Sequence, residues 1–355
     1  MKALVLSGGS GTRLRPFSHS MPKQLFPVAG RPVLVHALEA IREAGVTEVG
    51  IIVSGTGVAV RAAIGDGSQF GMSVTYLPQE EPRGLAHCVM IAREFLADDD
   101  FVMYLGDNIF DGGITETVET FRARRPAAQL VVTKVENPSQ YGIAELDAEG
   151  RVTRLVEKPD DPRSDLAVTG VYCFTPDIHE AVLKISPSRR NEWEITDAIQ
   201  WLVAQELPVQ AQLFSGYWAD TGTLADLLEC NRVLLGGITP AVDGTVDGHS
   251  RISGPVIVEA GAIIERSTIT GPSIIGAGST IVNSHVGPFT SLGRECRLTE
   301  AGIEHSIVLD RASVDSVRSL QGSIIGKSGD VRRMRDGSAS HRLLVGDHSR
   351  IEVPA

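Results

Sequence analysis

The sequence predicts two domains: an α/β domain with a mainly parallel sheet over residues 1–239, then a parallel β-helix over residues 240–355. Three observations carry this. Short apolar runs alternate with amphipathic segments through the first part, as βαβ units do. Aliphatic residues recur every five or six positions through the second, a period that fits neither a helix nor a half-buried strand. Of the 18 aromatic residues, only Phe289 lies beyond residue 240, so the two parts fill their cores with different side chains.

The elements follow in order. Lys2-Ala3-Leu4-Val5-Leu6 reads as a first strand. Residues 31–44 read as a helix, with Pro32 suited to its first turn, Leu34, Leu38 and Ile41 at helical spacing, and Gly45 as the stop. Strands are expected at 49–53, 74–77 and 101–105, with helices at 56–64 and 84–97 between them, and a later strand at 209–214. In such sheets ligands bind beyond the carboxyl ends of the strands. Polar residues directly after apolar runs therefore mark a candidate site: Ser7 to Arg13, Gly106-Asp107-Asn108, and Trp218-Ala219-Asp220-Thr221-Gly222. From residue 240 onward, Ile, Val or Leu stands at 252, 258, 264, 269, 275, 281, 286, 292, 298, 303 and 308. Positions 258, 275 and 292 are 17 apart, close to three hexads, which is the signature of stacked coils with one aliphatic residue per face turned inward.

The 355-residue length fits about two domains. The formal net charge is −11, and the excess acid belongs to the first part, which carries 21 basic and 31 acidic residues against 12 and 13 in the second. Such a chain repels nucleic-acid backbones and needs a local cationic cluster to hold a phosphorylated substrate. Cys88, Cys173, Cys230 and Cys296 are far apart with no CxxC pair, which argues against a disulfide framework or a zinc site and for buried thiols in a reducing compartment. No apolar run approaches the ~18 residues of a membrane span, so neither a membrane partner nor secretion is expected and the cytoplasm is the expected location.

The glycine-rich run Leu6-Ser7-Gly8-Gly9-Ser10-Gly11-Thr12-Arg13 can bring backbone N–H groups against a phosphate chain. It is not a Walker loop, which needs GK before Ser or Thr, nor a dinucleotide fingerprint, which needs a glycine where Leu14 stands. Arg13 and Lys23 place two cations just downstream; a fold-only glycine turn and solvated charges are the bland alternatives. Asp107 and Asp220 each follow an apolar run, and two carboxylates with phosphate oxygens and water suit octahedral Mg²⁺, although either could be a turn or helix cap. Lys158, in Val156-Glu157-Lys158-Pro159, is a third candidate cation, with a surface ion pair as its bland reading.

These residues carry a resemblance. Residues 1–235 closely resemble the sugar nucleotidyltransferases, in the thymidylyltransferase branch that acts on glucose 1-phosphate. The match rests on LSGGSGTRLRP, PKQLFPV, GDGSQFG, Gln79 and Gly84 in QEEPRGLAH, YLGDNIF, Tyr141-Gly142, VEKP, VTGVY, EITD and WADTG, in order and at the family's intervals. The hexad-rich tail is similar to that of the longer members, found in deoxysugar and antibiotic pathways. The resemblance implies a Rossmann-like catalytic domain, a left-handed β-helix, self-association into a homo-oligomer, and the reaction of dTTP with glucose 1-phosphate to give dTDP-glucose and pyrophosphate. It implies that the loop from Leu6 to Arg13, with Lys23, holds and activates the triphosphate, and that Gln79 and Gly84 read the base. Lys158 then binds the sugar phosphate, while Glu157, Tyr141, Gly142 and Val168 line the sugar pocket. Asp107 and Asp220 match the metal pair; Asn108 and Trp218 beside them are expected on the sugar-phosphate side.

The charge chemistry agrees. A sugar 1-phosphate, with a second pKa near about 6, is largely dianionic at neutral pH and needs no general base. In-line alignment and neutralisation of crowded phosphates remain, which fits the lack of a catalytic His or Ser constellation. Arg83 stands beside Gly84 where the family more often has a smaller or acidic residue, so it could face solvent or alter the nucleotide contact. UTP, another nucleotide, or another sugar or cyclitol phosphate are the alternative substrates. Hexad β-helices also carry acyltransferase sites, for which His285, His305 or His341 could serve as base. A non-catalytic sugar-nucleotide-binding homologue is disfavoured by the intact metal carboxylates, cations and base reader.

Overall fold

The computed structural model describes residues 1–9, 11–55, 57–333 and 348. Ser10 of the glycine loop and His341 of the tail lie outside the described residues. The chain forms two compact units, Met1–Ser10 with Val33–Asp220, and Gly11–Pro32 with Thr221–Ala355.

In chain order, the strands up to residue 220 are β1 (Lys2–Ser7), β2 (Pro27–Val28), β3 (Arg31–Pro32), β4 (Glu48–Val53), β5 (Ser73–Pro78), β6 (Phe101–Leu105), β7 (Ile109–Phe110), β8 (Ala128–Lys134), β9 (Gly142–Leu146), β10 (Val152–Glu157), β11 (Leu166–Phe174), β12 (Val209–Leu213) and β13 (Trp218–Ala219). The helices are α1 (Val33–Glu43), α2 (Gly57–Ile64), α3 (Leu85–Ile91), α4 (Arg93–Leu96), α5 (Thr115–Arg124), α6 (Ile178–Lys184), α7 (Ile195–Ala204) and α8 (Leu224–Gly236).

The first unit is built on a sheet of order β10-β9-β11-β6-β1-β4-β5, extended by β8 on β11 and β12 on β8. β1, β4, β5 and β6 pair in parallel; β1, β4 and β6 are mostly buried apolar runs, as expected of strands covered on both faces, whereas β5 at the sheet edge mixes Ser73 and Thr75 with apolar residues and is partly exposed. β11 runs antiparallel to β6, β8 and β9, and its ladder with β8 breaks between Val168 and Tyr172. That break frees the backbone around Thr169 and Gly170 at the carboxyl end of β6. Helix α1 buries Val33, Leu34, Ala37, Leu38 and Ile41, and Gly45 (φ 74°) follows it in the left-handed region that glycine tolerates. Pro32 stands one residue before this helix rather than in its first turn, paired with Pro27, because a proline holds its predecessor Arg31 extended. The span 84–97 is two helices, α3 and α4, joined at Ala92 and ended by Ala97 (φ 51°). Leu4, Phe101, Met103, Leu130, Tyr172, Phe174, Ile199 and Leu202 belong to one buried cluster. Among the described residues, no helix is long and apolar enough to cross a membrane, and all four cysteines are buried free thiols.

The second unit contains a left-handed β-helix of three parallel sheets. Their central rows stack in 16- or 17-residue steps: Val258, Ile275, Leu292, Val308 and Ile325 on one face, Ile264, Ile281, Leu298, Val314 and Val331 on the next, and Ile252, Ile269, Val286, Ile303 and Leu320 on the third. Most of these aliphatics are fully buried and form one core. A ladder of small polar residues at one corner adds to the aliphatic rows. Ser250 Oγ accepts from Ser267 N, Ser267 Oγ from Ser284 N, and Ser284 Oγ from Ala301 N, each at 3.0 Å. Each hydroxyl thus satisfies a backbone donor that the turn would leave buried and unpaired.

One face of the β-helix is covered. Its outward row includes Ile274 and Ile307, both buried, with Ser291 between them. Helix α8 and the hairpin β2–β3 lie on this side. Thr223 starts α8 with a capping box to Asp226. Asn231 on α8 is fully buried and ties three segments together. Its Oδ1 accepts from Ala29 N at 2.9 Å and from Ser291 Oγ at 2.7 Å, and its Nδ2 donates to Phe289 O at 3.0 Å.

Two outcomes test this packing. Asn231→Ala strands those partners and should cost about 2–4 kcal/mol of stability, read by denaturant unfolding. His179 in α6 is 8% exposed, stacks on Phe101 at 6.0 Å, and finds no hydrogen-bond partner for either ring nitrogen among the described residues. Burial, aided by Arg93, pulls its pKa from 6.5 down to about 4. Between pH 6.5 and 4 the unfolded chain therefore takes up a proton that the fold refuses, so stability falls as pH falls through that window. Tm should drop less between pH 7 and pH 5 in His179→Phe than in the parent.

Candidate active site

At the carboxyl end of β6 and the break in β11, a cleft of about 160 Å³ opens in the first unit. Asn108, Tyr141, Gly142, Glu157, Lys158, Val168, Trp218 and Asp220 all line it, so eight of the sequence candidates converge. Their positions have identifiable causes. β13 pairs antiparallel with β7, Trp218 opposite Phe110 and Ala219 opposite Ile109, which brings Asp220 beside the segment that begins with Asp107 and Asn108. The indole Nε1 of Trp218 donates to Asn108 Oδ1 at 2.7 Å, and Asn108 Nδ2 donates to Asp107 Oδ1 at 2.9 Å. Gly170 makes room for this amide: a Cβ there would lie 2.4 Å from Asn108 Oδ1. Tyr141 meets Trp218 edge-on at 5.7 Å, giving an aromatic wall.

Across the cleft, Glu157 ends β10 and Lys158 follows with φ 41°, its N–H donating to Tyr141 O at 3.0 Å. The Glu157 carboxylate accepts from Thr196 Oγ1 at 3.3 Å and lies 3.4 Å from Arg190 Nη1 and 4.0 Å from Lys158 Nζ. Burial raises the Glu157 pKa, the charge of Glu194 adds to this, and Lys158, Arg190 and Thr196 pull it back. Gly142 is required here, since a Cβ would meet Thr196 Cγ2 at 2.8 Å and Glu157 Oε2 at 3.1 Å.

A second cluster lies in the same unit. Gln79 follows β5, is buried, and has its Oε1 3.4 Å from where a Cβ on Gly8 would be. Gly84 (φ 99°) allows the chain to pass Trp193, whose carbonyl would be 2.5 Å from a Cβ at that position. Arg83 is exposed, as one of its two readings has it, where it pairs with Glu81 and lies 6.0 Å from the ring centre of Trp193. Leu6 is buried at the end of β1, where its carbonyl accepts from Gly106 N, and Gly9 (φ 104°) starts the turn. Gly11, Thr12, Arg13 and Lys23 belong to the second unit. There Gly11 (φ 57°) packs against Lys23: an added Cβ would come within 3.3 Å of the Cβ atoms of Lys23 and Ser18. Arg13 is exposed on the short turn Thr12–Leu14.

Sequence reasoning missed Arg190 and gave no role to Glu194, although Glu194 opens the EITD motif. Arg190 reaches Glu157, Glu194 at 3.7 Å and Glu192 at 2.7 Å, so one guanidinium organises three carboxylates at the cleft wall. The run Arg190 to Asp197, dense in charge before an apolar helix, was the available signal. Among the described residues, no three or more His, Cys, Asp or Glu side chains gather as a metal group.

Comparison with known proteins agrees with this arrangement. The nucleotidyl transferase family model matches residues 2–236. The chain is 51% identical to a glucose-1-phosphate thymidylyltransferase of Streptomyces griseus and 52% identical to one of Streptomyces antibioticus, each over 99% of both chains. A crystal structure assigned to glucose-1-phosphate thymidylyltransferase from Bacillus anthracis, in complex with sucrose, superposes with a TM-score of 0.63 at 32% identity, covering 68% of this chain and 97% of that one. The family is generally dependent on a divalent metal. With its strand-end carboxylates, its cleft and these full-length relatives, the chain belongs to the nucleotidyl transferase family, among the glucose-1-phosphate thymidylyltransferases.

Proposed function

We propose that the protein transfers a thymidylyl group from dTTP to glucose 1-phosphate, giving dTDP-glucose and pyrophosphate. The observation that carries the reading is the cleft in which Lys158, Glu157, Asn108, Trp218 and Asp220 converge. It joins an aromatic wall, neutral hydrogen-bonding groups and a cation, the chemistry needed by a hydroxylated ring with a phosphate. In this reading Glu157 accepts from sugar hydroxyls, Tyr141 and Trp218 pack on the ring with Val168, the Gly142 backbone approaches it closely, and Lys158 pairs with the phosphate. Gln79 and Gly84 read the base. The loop through Leu6, Gly8, Gly9, Ser10, Gly11 and Thr12, with Arg13 and Lys23, serves the triphosphate.

The reaction needs no acid or base from the protein. An oxygen of the sugar phosphate forms a bond to the α-phosphorus, the bond from that phosphorus to the bridging oxygen breaks, and pyrophosphate leaves with the electron pair. The side chains contribute alignment and fixed positive charge. Lys158, held by its backbone bond to Tyr141, orients the nucleophilic phosphate. Arg190, 3.4 Å away, holds the Glu157 carboxylate in place and, with Lys158, opposes the upward pull of burial and Glu194 on its pKa.

Asp107 and Asp220 fit a divalent cation. Both supply hard carboxylate oxygens, the β7–β13 pairing brings the chain at Asp220 toward the segment of Asp107 and Asn108, and with only two carboxylates the remaining ligands would come from phosphate and water, as Mg²⁺ prefers. When bound, such an ion neutralises phosphate oxygens around the reacting phosphorus.

Pyrophosphate release with Mg²⁺ and glucose 1-phosphate, measured across dTTP, UTP, ATP, GTP and CTP, should favour dTTP with UTP second. Silence with dTTP and turnover with another nucleotide would overturn the base assignment. Asp107→Asn and Asp220→Asn should each lower turnover roughly a hundredfold or more with the far-UV spectrum unchanged. Near-parental activity in both would remove the metal pair.

A further inference from the structure

Beside the base-reading glutamine stands His87, the last residue of the QEEPRGLAH segment, to which the proposed chemistry gives no role. Gln79 Nε2 lies 3.2 Å from His87 Nδ1 and 3.3 Å from Cys88 Sγ. An amide nitrogen only donates, so His87 Nδ1 must accept, and the ring is the neutral tautomer protonated at Nε2. The two N–H groups of the amide are thereby directed to two acceptors on α3, and Oε1 is left turned toward Gly8. Reversing the amide would require the ring proton to move to Nδ1 and the Cys88 thiol to turn its proton away from Gly84 O, which it meets at 3.5 Å.

We propose that His87 is a positioning residue that fixes the Gln79 amide with its oxygen outward, so that the site accepts bases with a lactam N3–H and rejects cytosine. Thymine and uracil carry that donor, whereas cytosine presents an unprotonated N3, which would face the same oxygen as a second acceptor. The proposal rests on the reading of Gln79 as the base contact. His87 is itself held in place: its ring stacks on Trp193 at 6.0 Å with 29° between planes, and Trp193 is pinned by backbone bonds to Arg83 and Ala86. Burial and the positive charge of Arg83 lower the His87 pKa, favouring the neutral ring that can accept, against a smaller opposing effect of Glu81. Cys88 supports the same orientation: burial pushes its thiol up to about 12, and the proton it keeps is directed to Gly84 O at 3.5 Å, which leaves sulfur to accept from the amide.

The test compares dTTP and dCTP with the full-length protein, Mg²⁺ and glucose 1-phosphate, reading kcat and KM from pyrophosphate release. In His87→Leu the amide loses its directing acceptor. KM for dTTP should rise about tenfold with kcat near parental, and the preference for dTTP over dCTP should fall about tenfold. His87→Asn, whose Oδ1 takes the place of Nδ1, should keep the preference. His87→Ala on this partly exposed helical position repeats the test if the leucine variant folds poorly. Retained preference in His87→Leu and His87→Ala, with preference lost in Gln79→Leu, would overturn the orienting role while leaving Gln79 as the reader. Retained preference in Gln79→Leu would show that the underlying base assignment fails first.

Discussion

The hydrogen bond from Trp218 to Asn108 is the constraint on which the cleft depends. It joins the short strand β13 to the segment after β6, and it is possible only because β11 breaks its ladder and carries Gly170 at the closest approach. Asn108 is 2% exposed, so its amide is a structural wedge as much as a wall. Its other end holds Asp107. One buried amide thereby sets the aromatic wall, the opening in the sheet and the position of one carboxylate. Polar groups buried in this way are secure only when fully bonded, which explains why so much local geometry bends around one side chain.

The electrostatics follow a related logic. The chain is strongly acidic, yet its proposed substrates are anions. The first unit reduces this locally: Arg190 is shared among Glu157, Glu192 and Glu194 and offsets part of their negative charge, and Lys158 adds a second cation beside Glu157. Acidic groups elsewhere sit in exposed pairs such as Arg125–Asp100 and Arg151–Asp147, which shape the surface more than the site.

Much of this was legible in the sequence. The parallel strands announced themselves as apolar runs with polar ends, and the β-helix as an aliphatic period of five to six, because both signals arise from residues that repeat locally. Asn108, Glu157, Lys158 and Asp220 were found because they follow apolar runs or lie in recognisable motifs. What was hidden depends on pairing between distant segments. The break in β11, the β7–β13 bridge and the service of Arg190 to Glu157 across 33 residues leave no periodic trace. The corner serines were hidden for another reason: a serine in a turn is ordinary, and only its 17-residue recurrence beneath the aliphatic pattern distinguishes it.

The buried Asn231 also sets an order of events during synthesis. The turn at Ala29 is fastened by a residue 202 positions later, and that residue is itself fastened by Phe289 and Ser291, 58 and 60 positions further on. A nascent chain can bury β1 against β4 and β6 soon after each emerges, but the hairpin β2–β3 must wait for the β-helix to wind past Ser291. The segment that carries Arg13 and Lys23 is therefore among the first translated and among the last seated. A ribosome-bound chain stopped before that coil would hold a formed cleft at the end of β6 and an unfastened segment around Ala29.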